Sequence, residues 1–315
     1  MSPPVSQDHI HCQIHETFQG QRLERWIKKQ YKLIPYSVLQ KWFRRGLVRI
    51  DGRKAKADFT IPGQCTLEMP LYELQDSFAP KPQGNKRTLK ILKKARVFED
   101  ETLLILNKPH GLATQGGSGQ TDYLDLYMKD LCPNQDEALR LVHRLDQETS
   151  GLIILAKTYQ ASKGLTQDFK DRRIEKTYFA LVVGTPSEND GTIDAPVIKR
   201  LLGKGSKMAL AEVGEEGLSA ITQYRVLKVL DNGMTLLELK PQTGRTHQLR
   251  VHCAQALGCP ILGDGLYGGT AAHPLSKRTR LYLHAGMLTL KNNASFQALP
   301  AWYNAALQGD FLLED

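Results

Sequence analysis

The chain has 315 residues, with 42 lysines and arginines against 33 aspartates and glutamates, a formal net charge of +9. That length supports one large core with a small appendage, the positive excess favours a polyanionic partner without requiring one, and no apolar run approaches the roughly 18 to 20 residues that crossing a bilayer takes, so a membrane anchor is not expected. Five cysteines, widely spaced and without a Cys-x-x-Cys pair, in a chain with no signal peptide, point to reduced thiols in a cytoplasm.

The charge is local. From Gln21 to Lys56 the chain places Arg22, Arg25, Lys28, Lys29, Lys32, Lys41, Arg44, Arg45, Arg49, Arg53, Lys54 and Lys56 against only Glu24 and Asp51, which leaves the remainder nearly neutral. Leu23, Trp26 and Ile27, then Val38, Leu39, Trp42 and Phe43, recur at helical spacing on either side of Pro35-Tyr36-Ser37. The spacing predicts two short helices, with Ser37 as N-cap of the second. Gly46 stops that helix, Leu47-Val48-Arg49-Ile50 reads as a strand and Asp51-Gly52 as a turn. Trp26 and Trp42 fall in phase with the aliphatic residues and are expected in the core. The basic side chains are left outward, where phosphate contacts give affinity and orientation but not base identity.

Residues 1–75 thus read as a small α/β module. From Asp76 to Arg96 come Pro80, Pro82, Gly84 and Asn85, then Lys86, Arg87, Lys90, Lys93, Lys94 and Arg96; this composition predicts a basic, flexible linker over 76–96.

From 97 to 315 strand-like runs dominate: Thr102 to Asn107, Gly151 to Ala156, Tyr178 to Val183, Ile221 to Leu230, Thr235 to Lys240 and Leu281 to Leu290. Asp231-Asn232-Gly233 between two of them is a hairpin signal. Helical patterns at Leu124 to Leu131, Tyr159 to Phe169 and Thr246 to Leu257 are interspersed irregularly. The class that follows is α+β with a mixed, largely antiparallel central sheet, not a doubly wound parallel one.

One loop names its chemistry. Leu141-Val142-His143-Arg144-Leu145-Asp146-Gln147-Glu148-Thr149-Ser150-Gly151 runs straight into Leu152-Ile153-Ile154-Leu155-Ala156, so a carboxylate with an arginine two residues before it hangs on a buried strand. A rigid scaffold with an exposed head suits a nucleophile or base; an ordinary turn, in which Asp146 accepts backbone hydrogen bonds, is the competing reading. His247, His252 and Cys253 invite a metal site, but no zinc-deaminase or His-Glu-x-x-His string occurs, and structural or RNA-contacting histidines are expected instead. Gly111, Gly116, Gly117 and Gly119 are not followed by a Gly-Lys-Ser/Thr, so a phosphate loop is not read there.

The His143-Arg144-Leu145-Asp146 string with Gln147 to Gly151 resembles the signature of the RluA-type pseudouridine synthases, and three further segments agree with it in order. Leu103 to Pro109 with Gly111 looks like the family's first strand and loop, and Lys176-Thr177-Tyr178 to Gly184 looks like its tyrosine motif. Thr243-Gly244-Arg245-Thr246-His247-Gln248-Leu249-Arg250-Val251-His252, followed by Gly263-Asp264 and Tyr267-Gly268, is the third. Gln115 stands where a histidine is common. The pattern of Gln21 to Arg25, Ser37 to Lys41 and Gly46 to Gly52 is similar to the αL RNA-binding domain named for ribosomal protein S-four.

The resemblance implies a pseudouridine synthase fold whose central sheet holds a catalytic cleft, a monomer that needs no cofactor and no metal, and ribosomal RNA of the large subunit as the partner. It implies Asp146 as nucleophile, Arg250 paired with it in a buried salt bridge, and Tyr178 stacked on the uracil. A free aspartate is already anionic at neutral pH, and a guanidinium would protect it from the upward shift that burial causes.

A uridine in folded RNA must leave its stack to reach such a pocket. Arg144 is the candidate to fill the vacancy, or else to bind a phosphate. The other expected RNA contacts are His143, which also reads as a loop-orienting hydrogen-bond partner, Arg245 on the backbone, His247, Lys108, and Arg22, Lys41, Arg44 and Arg45 of the basic module. On a helix Arg245 and Arg250 would point about 140° apart and could not share one role. Two other functions use the same residues: a base-excising nucleosidase, for which Glu148 is the neighbouring second carboxylate, and a non-catalytic ribosome-assembly factor.

Overall fold

The computed structural model describes residues 9–31, 34–70, 84–116, 120–133, 137–202, 205–273 and 280–311. Lys32, Pro80, Pro82, Gly117 and Gly119 of the sequence reading lie outside the described residues. The chain divides into two compact units, Met1–Lys81 and Pro82–Asp315.

The first unit is a four-stranded antiparallel sheet against two helices: β1 (His9–Ile14), α1 (Leu23–Gln30), α2 (Tyr36–Arg45), β2 (Arg49–Ile50), β3 (Arg53–Lys54) and β4 (Cys65–Pro70), with strand order β1-β4-β2-β3. The apolar stripe read from the sequence is the core, since Leu23, Trp26, Ile27, Leu39, Trp42 and Phe43 are all buried with Ile50, Leu67 and Met69. Cys65, Leu67 and Met69 alternate inward along β4, the period of two of a half-buried strand. Asp51 (φ 47°) and Gly52 (φ 75°) both take positive φ, as a two-residue hairpin turn with the right twist requires. Ser37 does not cap α2; Pro35, at φ −60°, is the N-cap and Tyr36 begins the helix, because proline's fixed φ and missing N–H suit a helix entrance. The strand expected over Leu47 to Ile50 is only two residues long. Gly46 ends α2 in the left-handed conformation, as expected.

The second unit opens with α3 (Lys86–Lys94), capped by Asn85, whose side chain accepts from Arg87 N. Leu92 is fully buried in the core of this unit. The basic stretch read as linker therefore folds from Lys86 onward: its charges line the outside of an amphipathic helix. Then come β5 (Arg96–Glu99), β6 (Leu103–Lys108), α4 (Met128–Leu131), β7 (Arg140–Leu141), β8 (Ser150–Ala156), α5 (Tyr159–Lys170), β9 (Glu175–Val183), β10 (Asp190–Asp194), β11 (Val197–Leu202) and β12 (Gly205–Leu210). The unit closes with β13 (Ile221–Val229), β14 (Met234–Pro241), α6 (Gln248–Val251), β15 (Leu283–Thr289), β16 (Ser295–Gln297) and α7 (Trp302–Gln308).

The main sheet runs β10-β13-β14-β9-β15-β8-β6-β5, with β7 and β16 pairing to β8 and β15. β15 and β8 are parallel, while the other described pairings are antiparallel. The mixed, largely antiparallel sheet expected from the sequence is what forms, with Asp231-Asn232-Gly233 turning between β13 and β14. The Arg200-to-Gly205 stretch belongs to the β11–β12 hairpin, with 203 and 204 outside the described residues.

The continuous apolar runs of β6 and β8 follow from burial on both faces. Leu104, Leu106, Ile153 and Leu155 pack towards Leu92, Tyr127 and Leu131. Leu103, Ile105, Leu152 and Ile154 pack towards Leu165, Phe169 and Leu288. Each such side chain contributes about 1.5–3 kcal/mol of transfer free energy. That rigid sheet centre carries the loop before β8.

Candidate active site

The loop from Val142 to Thr149 is held on both sides of Asp146. On one side, Thr114 Oγ1 accepts from Leu145 N at 3.1 Å and donates to Leu145 O at 2.6 Å. On the other, Gly111 N and Lys108 Nζ donate to Gln147 O at 3.0 and 3.3 Å, and Gln147 Nε2 donates back to Gly111 O. Thr149 N closes a turn onto Asp146 O. The backbone of the carboxylate is thus clamped to the loop after β6, while its side chain keeps 31% of its surface exposed, an arrangement that holds the carboxylate in place in advance of any ligand.

Asp146 faces a cavity of about 110 Å³ lined also by Arg144, Lys176, Tyr178, His247 and Arg250. Among the described residues lining it, Asp146 is the one acidic side chain. Tyr178 comes from β9, opposite Ala285 of β15 and Leu239 of β14, and burial, reinforced by the Asp146 charge, pushes its phenol well above the ordinary tyrosine range. It enters the cavity as a neutral ring.

Arg250 is not ion-paired to Asp146, contrary to expectation. Its Nε and Nη2 donate to Asp264 Oδ2 and Oδ1 at 2.9 and 2.6 Å, and its guanidinium lies 5.2 Å from the Tyr267 ring centroid. Asp264, fully buried, also accepts from the backbone N of Leu266 and Tyr267. The physical reason is desolvation: a buried guanidinium needs a partner of equal burial and good geometry, which fully buried Asp264 offers and part-exposed Asp146 does not. Burial works to lower the Arg250 pKa and is outweighed by the hydrogen bonds and charge of Asp264, with Asp146 adding to the rise. Arg250 therefore acts on Asp146 through space, as a fixed positive charge in the wall.

Among the described residues, the basic side chain in ion-pair range of Asp146 is His247, with Nε2 3.9 Å from Oδ2. Its backbone is left-handed at φ 55°, a conformation costing a non-glycine residue of order 1 kcal/mol and found where function over-determines it. Tyr267 Oη, which accepts from Met208 N, lies 2.7 Å from His247 Nδ1; with that hydroxyl donating, the neutral imidazole carries its proton on the nitrogen that faces Asp146. Burial lowers the His247 pKa, against an opposing pull from Asp146. His247 belongs with the carboxylate as well as among the expected RNA contacts.

Three other expectations change. Lys108 is fully buried, its Nζ donating to the carbonyls of Leu112 (2.7 Å), Pro109 (3.1 Å) and Gln147, so it is a clamp for the loop and not an RNA contact. His143 takes the loop-orienting role: Ile154 N donates to its Nε2 at 2.8 Å and its ring stacks on Phe169 at 4.4 Å, which removes the support for an RNA contact there. Arg245 and Arg250 do not share a helix. α6 begins at Gln248, whose side chain accepts from Arg245 N and Thr243 Oγ1 and donates to Ile221 O and Thr222 Oγ1, and a π-helical turn over His252–Ala256 follows. Arg245 instead donates from Nε to Ser219 O. His252 is buried between Thr222 and Ala195, as a structural histidine.

Arg144 is exposed beside the cavity, its Nη2 3.4 Å from Thr246 Oγ1. Arg22, Lys41, Arg44 and Arg45 are exposed in the first unit, with no carboxylate in ion-pair range among the described residues. The sequence motifs contain Asp264 and Tyr267 without giving them roles; an arginine expected to be buried was the signal that a second carboxylate was needed. Thr114 and Lys176 carried no such signal.

Glu148, the second carboxylate that a nucleosidase would need, lies 2.9 Å from His110 Nε2 and does not line the cavity. Among the described residues no group of three or more His, Cys, Asp or Glu side chains is placed to hold a metal ion, and no helix is long and apolar enough to cross a membrane.

The chain is similar to known proteins. Residues 102–255 match the family described as RNA pseudouridylate synthase. The chain is 38% identical over 281 residues to the ribosomal large subunit pseudouridine synthase C of Rickettsia felis, covering 85% of this chain and 88% of that one. It is 33% identical over 291 residues to the protein of the same name from Vibrio cholerae, at 91% and 90% coverage. Among solved structures, human RNA pseudouridylate synthase domain containing 4 superposes with a TM-score of 0.58 at 30% identity, over 70% of this chain and 95% of that one. The chain belongs to the RNA pseudouridylate synthase family.

Proposed function

We propose that this enzyme isomerises specific uridines of large-subunit ribosomal RNA to pseudouridine, with Asp146 as the nucleophile. The observation that carries the reading is a single carboxylate, clamped through both neighbouring residues, facing a cavity walled by a neutral tyrosine and a fixed guanidinium. The reaction breaks the bond from ribose to ring nitrogen, turns the uracil while it is held, and joins C5 to the ribose carbon. The C5 proton is released and the freed ring nitrogen gains one, so no atom of the nucleotide other than a proton is exchanged.

Asp146 attacks the everted nucleotide and leaves it again; Tyr178 stacks on the ring; the Arg250 charge stabilises the anionic form of Asp146 as substrate excludes water. Arg144 sits at the mouth, where its planar head can occupy the vacated stack. The exposed cations of the first unit, without ion-pair partners among the described residues, hold RNA by its phosphates, with Arg245 as a further contact. The names of the bacterial relatives support ribosomal RNA as the substrate, and the free thiols of all five cysteines fit a reducing cytoplasm.

Nucleoside analysis of unmodified large-subunit ribosomal RNA incubated with the protein tests this. Pseudouridine is expected to appear as uridine disappears, and Asp146→Ala is expected to be silent. Free uracil would indicate a nucleosidase, and tight binding without conversion an assembly factor.

A further inference from the structure

Past Lys176 and Pro241 the wall of the catalytic cavity continues into a second depression of about 470 Å³, lined among others by Arg172, Glu175, Lys176, Gln223, Lys240 and Gln242, so that three cations face one carboxylate. Lys176 and Pro241 belong to both. Lys176 is only part-exposed, and neither it nor Arg172 has a carboxylate within ion-pair distance among the described residues. A part-buried ammonium without a counter-ion is costly; burial, and the Arg172 charge after it, lower the Lys176 pKa. Arg172 itself is held at φ 59° just after α5, a left-handed conformation uncommon for arginine. Lys240 is exposed and shares its charge with Glu238 at 3.3 Å. Gln223 and Gln242 offer neutral donors and acceptors between the cations.

The basic character has an end. A third depression shares Gln223 and Lys240 with the second, but there Lys240 and Arg225 face Asp190 and Glu238, and Glu238 pairs with both cations, so the positive charge is balanced. The excess of positive charge is thus confined to a short path from the cavity wall, strongest at Lys176 and Arg172 and weaker at Lys240.

We infer that this depression binds one or two phosphates of the RNA strand adjoining the everted uridine, Lys176 and Arg172 holding the first and Lys240 the outer one. The inference rests on the pseudouridine synthase reading, because only a nucleotide seated against Asp146 leaves its neighbouring phosphate at the Lys176 wall. Lysine serves as a point charge and arginine as a two-pronged donor, the two means by which proteins grip phosphate. The depression is a positioning surface and does not touch the reacting atoms.

The full chain and an unmodified large-subunit ribosomal RNA transcript provide the test. Arg172→Gln with Lys240→Gln, both exposed positions, are expected to raise KM by about tenfold, the worth of roughly one charge-assisted hydrogen bond. The same pair should flatten the slope of log affinity against log salt by about 0.7 for each single-strand phosphate that is no longer neutralised. Lys176→Gln is expected to act in the same direction and Lys176→Arg to restore the slope. A parent enzyme that forms pseudouridine while the Arg172 and Lys240 pair changes neither KM nor slope overturns the inference alone. A parent that forms no pseudouridine overturns the functional reading and this inference with it.

Discussion

Arg250 reaches Asp264 with two nitrogens, at 2.9 and 2.6 Å, in a pair shut inside the wall of the cavity that Asp146 faces. The residue that neutralises Arg250 is therefore not the one its charge serves. In the proposed mechanism this separation lets Asp146 go from attack to release without stranding a buried guanidinium, and it gives Asp264 a load of its own. Asp264→Asn is expected to destabilise the fold by about 3–5 kcal/mol, since removing one partner of a buried pair leaves the other uncompensated. Urea unfolding measures it; a midpoint unchanged from the parent would contradict the assignment.

Lys108 offers a sharper distinction between holding the loop and holding RNA. Lys108→Met removes the donor to Leu112 O and Gln147 O, so the Asp146 loop shifts and kcat falls by up to about 10²-fold, the scale of a 1 Å misplacement. The salt dependence of RNA affinity should not change, because the ammonium touches no solvent. A flattened salt slope would return Lys108 to the RNA contacts.

The same group has a stability signature. Burial pushes the Lys108 ammonium down to about 7, against the opposing charges of Asp146 and Glu148. The unfolded chain keeps this proton to about 10.4, so between those values the unfolded state binds more protons and stability rises with pH. The Met variant is expected to lose that part of the rise, as pH-dependent unfolding would show.

At the acid end two histidines set the limit. Burial, with the Lys176 charge, pushes His143 down to about 3. Burial likewise pushes His284 down to about 4, where Nε2 donates to Ala298 O and Nδ1 accepts from Ser150 Oγ. Both are neutral in the fold and titrate near 6.5 when unfolded. Their contribution is complete above about 6.5 and is lost as pH falls towards 4 and then 3. His143→Gln, which keeps an acceptor for Ile154 N but cannot titrate, is expected to show a shallower loss of stability between pH 6.5 and 4 than the parent. An identical loss would mean that His143 is already charged in the fold.

Gly151 joins β8 to β15 just after the catalytic loop. Its φ is 115°, and a Cβ there would meet Ala285 O at 2.3 Å and Ala285 N at 2.5 Å, both backbone atoms of the parallel partner strand. Gly151→Ala is expected to cost about 3 kcal/mol or more, combining positive-φ strain with weakened strand pairing. Thermal unfolding checks this, and an alanine variant as stable as the parent would contradict the strand register.

Much of this site was legible because its chemistry lies in local strings. Asp146 before a buried strand, Tyr178 on a strand and Arg250 in the Thr243-to-His252 string each carry their context with them. What stayed hidden was partnership. Arg250 and Asp264 are 14 residues apart, joined by no periodicity, and only packing decides that the fully buried carboxylate takes the guanidinium. The apolar spacing from Thr246 to Leu257 reads as one helix, yet Gln248 anchors its side chain to Thr243 and Thr222, and His247 just before it is left-handed, so the helix starts only at Gln248. Short strands such as β10 and β16 lack enough residues to show a period, and Lys108 looks like any basic residue until the fold closes over it.

The most direct test compares Asp146→Asn with the parent on ribosomal RNA carrying tritium at uridine C5, following tritium release and RNA affinity together. The account predicts release slowed by at least about 10³-fold, as for loss of a nucleophile, with affinity and its salt slope unchanged. Release at a rate near the parent's, with binding intact, would show that the clamped carboxylate is not the group that attacks.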